Sequence, residues 1–180
     1  EEVDEVIARG AGLIMLPMFT SHADVAEVSA LINGRAGLIP LIETPSAVSD
    51  LAEVVKVNGV TEVYIGLNDL HLALRRSFMF ELLADGTVDE MAKIIHAAGL
   101  EFGFGGIARV GDGMLPGEMV MAEHVRLGSS RVILSRTFHN QSESLEQLKS
   151  SIDLRDEISS LDNVRRGFSA ASEQELLDNK

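Results

Sequence analysis

Five short apolar runs recur along the chain, separated by stretches whose apolar positions repeat with helical spacing. The runs are "GLIMLPMF" (12–19), "AGLIPLIE" (36–43), "EVYIGLND" (62–69), "EFGFGGI" (101–107) and "SRVILSR" (130–136). Continuous apolar segments of this length predict strands buried on both faces, as in a parallel sheet. The amphipathic stretches between them, at 21–33, 46–58, 87–99 and 115–128, predict helices. Strand and helix alternate, so the pattern calls for an α/β fold of parallel strands with right-handed crossovers.

The punctuation agrees. Ser21 and Ser46 stand where helix N-caps are expected, with Asp24 and Ser49 three residues on. Gly34, Gly59, Gly99 and Gly128 stand where helices should stop. Beyond residue 140, "ESLEQLKSSIDLRDEISSLDNV" (143–164) places Leu and Ile at helical spacing in a polar background, predicting one long helix. The tail "RRGFSAASEQELLDNK" reads as a loop and a short helix. Low-complexity segments and linkers are absent, so residues 1–180 read as a single domain.

Two architectures take five parallel strands. An open flavodoxin-like sheet would be complete at this length. A TIM barrel needs eight strands and typically about 250 residues. The opening "EEVDEVIARGAG" reads as an acidic helix feeding straight into a strand, so the chain starts in mid-crossover. That is odd for a complete domain and natural for one whose earlier units are missing, and composition alone leaves both architectures open.

Composition narrows the function. A formal net charge of −13 argues against nucleic acid or an anionic membrane surface as partner. The absence of cysteine removes disulfides, thiolate nucleophiles and Cys-based zinc sites, and suits a reducing compartment. No apolar run approaches the roughly 18 residues of a membrane span, and the N-terminus is unlike a signal peptide. A cytoplasmic protein is expected.

Active sites of parallel α/β folds lie at the C-terminal ends of the strands. There the second run ends on Glu43 and the third on Asn68-Asp69. Strands spaced about 4.8 Å apart, or twice that, would let both carboxylates converge on one hard cation. Mg²⁺ commonly takes one or two protein carboxylates and fills the rest of its shell with water and substrate. The competing structural roles are a helix-dipole acid for Glu43 and an N-cap on "LHLALRR" for Asp69. Two acids closing consecutive apolar strands favour the ligand reading.

Other candidates are weaker. "GFGGIA" (103–108) departs from the dinucleotide fingerprint after its second glycine and reads as a strand with room for close packing. His22 and His71 follow strand ends and suit capping as well as a pocket. His96 and His124 fall on helices, and His139 lies past the last strand. Arg136 closes the last strand and suits an anion or a salt bridge. Zincin, nucleophile-elbow and P-loop motifs are absent.

Taken together, "GLIMLPMF", "LIPLIETPSAV" and "VYIGLNDLHLAL" resemble the metal-dependent 2-keto-acid aldolase and citrate lyase β-subunit family of HpcH/HpaI type. That family has a strand ending in Pro, then "hxhIETxxAV", then "hxIGxxDLxxxLG", in this order and spacing. The resemblance runs from about residue 11 to 140 and implies five βα units of a TIM (β/α)8 barrel of the pyruvate/phosphoenolpyruvate superfamily. It implies Mg²⁺ or Mn²⁺ on Glu43 and Asp69, with Pro17, Gly66, Leu67 and Asn68 lining the substrate site. Backbone N–H groups around Asn68 and Asp69 would hold the carboxylate of a 2-keto acid.

The activity so implied is a carbon–carbon lyase of aldolase type, acting on a 2-keto acid or a citryl- or malyl-like substrate through a metal-stabilised enolate. The family's arginine and general-base histidine lie on earlier strands, so no residue here takes those roles, and the isolated chain is expected to lack full activity. The sequence also lacks the glycine that follows "DLxxxL" in the family, carrying Arg75 instead. The resemblance further implies a homo-oligomer in which 141–180 is a helical extension exchanged between subunits. Two other readings stand beside it, a non-catalytic ligand-binding α/β domain and a phosphoenolpyruvate-using barrel relative.

Overall fold

The structure, a computed structural model, describes residues 2–139 and 141–178. All five apolar runs form strands: β1 Leu13–Leu16, β2 Gly37–Ile42, β3 Glu62–Ile65, β4 Glu101–Ile107 and β5 Arg131–Leu134. The helices are α1 Glu2–Ala8, α2 His22–Ile32, α3 Pro45–Val54, α4 Leu67–Ala73, α5 Glu81–Ala84, α6 Thr87–Ala97, α7 Gly117–Arg126, α8 Leu145–Ser151, α9 Leu154–Ser169 and α10 Glu173–Asp178. A 3₁₀ turn spans Arg136–Phe138.

The chain divides into two compact units, one up to Phe104 and one from Gly105 onward. In the first, β1 pairs parallel with β2 from Leu13↔Gly37 to Leu16↔Pro40, β2 with β3 at Leu41↔Tyr64 and Ile42↔Ile65, and β3 with β4 from Glu62↔Glu101 to Ile65↔Phe104. Within this unit the strand order is β1-β2-β3-β4. Each strand lies beside its successor, as in a barrel wall. A flavodoxin-like sheet would reverse its order at a switch point, so that alternative is excluded.

Helices α2, α3 and α6 pack in the layer beside these strands. Leu38, Ile42, Leu51, Val54, Ile65, Leu67, Leu70, Met91, Ile95, Phe102 and Phe104 form the core of the first unit. Each such side chain contributes on the order of 1.5–3 kcal/mol by leaving water. The Tyr64 hydroxyl donates to the Phe104 carbonyl across 3.2 Å, satisfying its polar end inside that core. In the second unit α7 packs against α9 and α10, burying Val120, Met121 and Leu161.

Burial on both faces holds for β3, whose four residues are all buried. It fails for β1, which stands at the end of that order, and for β5 in the second unit, both of which are largely exposed. An end strand has a neighbour on one side only, and an apolar run does not reveal its place in the sheet.

Ser21 caps α2 as expected, in a full capping box with Asp24. The carboxylate of Asp24 also accepts from the Thr20 backbone and hydroxyl, and these bonds hold its pKa below the usual carboxylate range. Ser46 does not cap α3. Thr44 does, accepting from Ala47 N at 3.1 Å, with Pro45 in the first helical position where its missing N–H costs nothing. Gly99 and Gly128 follow α6 and α7 in left-handed conformation. The α2 cap falls one residue early, on left-handed Asn33, and Gly59 lies in the turn before β3 because α3 stops at Val54.

The single helix expected over 143–164 is two. Ile152 turns extended (φ −149°, ψ 136°) and buries its side chain, and Asp153 restarts the helix by accepting from Arg155 N and Asp156 N. The new N-cap outweighs the continuous helical pattern. Helix α9 then runs on through Arg165 and Arg166, where a loop was expected, and α10 supplies the short terminal helix.

Candidate functional site

Three consecutive strand ends of the first unit meet around Glu43. The side chain of Glu43 is buried (8% exposed) although it directly follows β2. Its Oε2 accepts from the backbone N–H of Met18, just past β1, at 3.3 Å. On the other side lies Gly66, just past β3. A Cβ built on Gly66 would stand 2.6 Å from Glu43 Cγ and 2.8 Å from Oε1. Gly66 has φ −83°, ordinary for any residue, so glycine is needed here for space and not for conformation.

Asp69 reaches the same place from the first turn of α4. It is not the N-cap of a later helix, because α4 begins at Leu67 and takes Asp69 into its first turn. Burial pushes the Glu43 pKa above its ordinary value; the Met18 N–H opposes this, and the charge and hydrogen bonding of Asp69 raise it further. Two carboxylates in mutual range with one of them buried form a site that favours a shared proton or a cation. The side-chain cap of α3 comes from Thr44, and the Glu43 carboxylate accepts from the Met18 N–H instead.

Among the remaining predicted residues, Gly66 spends its N–H on the Ile42 carbonyl at 2.9 Å, which extends the β2–β3 ladder. Gly66 is therefore a spacer and not a donor. Leu67 is fully buried core, whereas Asn68 and Asp69 are exposed. The N–H groups of Leu67, Asn68 and Asp69 fall in the first turn of α4, where intrahelical acceptors are lacking. Pro17 is exposed and immediately precedes Met18.

The histidines take structural roles. His22 starts α2, and the Asp50 carboxylate accepts from both its backbone N–H (2.6 Å) and its Nδ1 (2.8 Å), lowering the Asp50 pKa. His71 is buried, with Nδ1 against the Leu67 carbonyl at 3.2 Å. His96 stacks edge-on against Phe102. His124 is buried on α7, its Nδ1 bonded to Ser129 Oγ at 2.8 Å, and burial drives its pKa down to about 3. Arg136 lies exposed on the 3₁₀ turn of the second unit.

Met18 was missed from the sequence. It is the one residue of the β1–α2 connection in left-handed conformation (φ 54°), and its contribution is a backbone N–H. Side-chain chemistry carries no signal for either.

A hard cation fits the acid pair. Both donors are carboxylate oxygens, which suit Mg²⁺ or Mn²⁺ better than softer metals. Among the described residues, Glu43 and Asp69 belong to no group of three or more His, Cys, Asp or Glu side chains able to hold a metal. Two suffice for a cation that retains waters. Among the described residues, no helix is long and apolar enough to cross a membrane.

No protein-family model and no curated protein sequence matches the chain. Solved structures do. An HpcH/HpaI aldolase from Desulfitobacterium hafniense DCB-2 aligns over 84% of this chain and 69% of its own, with a TM-score of 0.62 and 16% identity. CitE from Mycobacterium tuberculosis, in complex with magnesium and acetate, aligns over 97% of this chain and 66% of its own, with a TM-score of 0.57 and 16% identity. The citrate synthase SbnG aligns over 83% and 68%, with a TM-score of 0.60 and 17% identity. The chain thus spans about two thirds of the length of these proteins. At such identities the shared property is the fold: this chain has the parallel βα architecture of the HpcH/HpaI aldolase and CitE structures, that of a partial TIM barrel.

Proposed function

We propose that the chain carries the divalent-cation half of a carbon–carbon lyase site, of aldolase type, acting on a 2-keto acid. The observation that carries this reading is the convergence of Glu43 and Asp69, from the ends of consecutive βα units, with Glu43 buried against a glycine that leaves it room. A buried carboxylate beside a second carboxylate is costly unless a cation or proton is shared. The fold's likeness to a structure of CitE in complex with magnesium supports the choice of Mg²⁺, with Mn²⁺ as its close substitute.

Glu43 and Asp69 would hold the cation, and the remaining positions would stay open to water and substrate. When bound, the cation supplies Lewis acidity toward negative charge developing on the keto oxygen. The first-turn N–H groups of α4, at Leu67, Asn68 and Asp69, would orient the substrate carboxylate. The Met18 N–H donates to Glu43 and favours its ionised form, against the burial that raises its pKa, and Pro17 forms the neighbouring lip of the site. No residue among these is assigned as the proton acceptor.

The test is binding followed by chemistry. Mn²⁺ titration of the chain should saturate with wild type and fail with Glu43→Gln and with Asp69→Asn. Proton exchange at the methyl group of pyruvate, followed by NMR with and without Mg²⁺, then reports whether the site enolises a 2-keto acid. Equal Mn²⁺ affinity in wild type and both variants overturns the proposal.

A further inference from the structure

We infer that Met18 and Gly66 together brace the Glu43 carboxylate, and are positioning residues for the cation that Glu43 and Asp69 would hold. The inference rests on the cation reading of that pair and goes beyond it by assigning the supports that set where the Glu43 oxygens lie.

The bracing is two-sided. From the β1 side the Met18 N–H takes Oε2. From the β3 side the bare Cα of Gly66 lies under Cγ and Oε1, closer than any side-chain carbon would permit. One oxygen is thereby tied back, and the carboxylate is held beside Asp69. Neither support uses a side chain.

The Met18 contact is maintained against a local cost. A non-glycine residue at φ 54° is disfavoured by on the order of 1 kcal/mol, and persists only where its surroundings over-determine it. Here they do. Phe19 is buried, and its carbonyl accepts from the Thr44 hydroxyl at 2.9 Å. Thr20 and Ser21 are tied to Asp24 by the α2 capping box. Successive residues of the β1 loop, Met18 and Phe19, are thus laced to successive residues after β2, Glu43 and Thr44. The Met18 side chain is 61% exposed, so core packing does not explain its conformation. What the conformation achieves is to aim one N–H at Glu43.

The experiment is Mn²⁺ affinity by EPR, with the thermal midpoint as a check on folding. Gly66→Ala is the primary variant, because φ −83° accepts alanine and the three atoms nearest the added carbon all belong to Glu43. It should remain folded and bind Mn²⁺ about 10–100-fold more weakly, the usual cost of losing an outer support of a metal ligand. Met18→Gly keeps the N–H and relieves the strain, so it should bind within about twofold of wild type and melt no lower. Met18→Pro removes the N–H and should bind at least about tenfold more weakly. A folded Gly66→Ala with wild-type affinity overturns the brace even where Met18→Pro does not fold. Absence of Mn²⁺ binding by the wild-type chain instead overturns the cation reading itself, so the two failures are distinct.

Discussion

Asp69 raises the proton affinity of the buried Glu43, whose carboxylate also accepts from the Met18 N–H. The pair is therefore destabilising to the bare protein at neutral pH and suited to a cation. The sign is clear: an acid whose folded pKa lies above its unfolded value favours the folded state at low pH, and that advantage is lost as pH rises through the folded pKa. Metal-free protein should accordingly gain stability from Glu43→Gln at pH 7, measured as a higher melting midpoint, while losing Mn²⁺ binding by more than the ~10–100-fold of an outer support.

The same titration sets a pH limit on binding. Protons compete with the cation for Glu43, so Mn²⁺ affinity should fall on acidification beginning above the ordinary glutamate range. Isothermal titration across pH 4.5–7.5 checks this. An affinity constant down to the ordinary glutamate pKa would mean that Glu43 is not a ligand.

His124 gives a second, independent pH effect. Its folded pKa of about 3 lies below the unfolded value of 6.5, so the buried neutral ring stabilises above pH 6.5 and that contribution is lost as pH falls. The loss is at most about 1.4 kcal/mol per pH unit. Urea midpoints of wild type should drop between pH 6.5 and 5, before most carboxylates titrate, and His124→Gln should flatten that slope.

The cap of α3 separates Thr44 from Ser46. Thr44→Ala removes both the bond from Ala47 N and the bond to the Phe19 carbonyl, and should cost about 1–2 kcal/mol. A chain of this size should then melt about 2–8 °C lower. Ser46→Ala, inside the first turn, should leave the midpoint within about 1 °C.

A buried ion pair on α7 supplies a stability test in the second unit. Arg126 Nε and Nη2 donate to the two oxygens of Glu123 at 2.9 and 2.7 Å, with both side chains nearly buried. Arg126→Ala leaves a buried carboxylate without its bidentate partner and should cost about 3–5 kcal/mol. The double change to Glu123→Leu and Arg126→Met should recover most of it, read from the same urea midpoints.

Much of this molecule was legible in the order of its residues. Five apolar runs determined five strands, because a strand buried in a parallel sheet must be apolar throughout and little else of that length is. Glu43 and Asp69 stood out as acids closing such runs, and Ser21 with Asp24 spelled out its capping box. These signals are local or periodic. What only the tertiary structure decided depends on neighbours distant in sequence. The order β1-β2-β3-β4 excluded the flavodoxin-like sheet, and its end left β1 exposed despite its composition. Burial, which helical spacing does not reveal, set the state of His124. At Ile152 a buried side chain and the new N-cap at Asp153 together outweighed helical spacing. Above all, the left-handed turn of Met18 and the bare Cα of Gly66 became parts of the site through contacts with Glu43, 25 and 23 residues away in sequence. Backbone N–H groups and missing side chains are the same in every sequence position, and only folding gives them a direction.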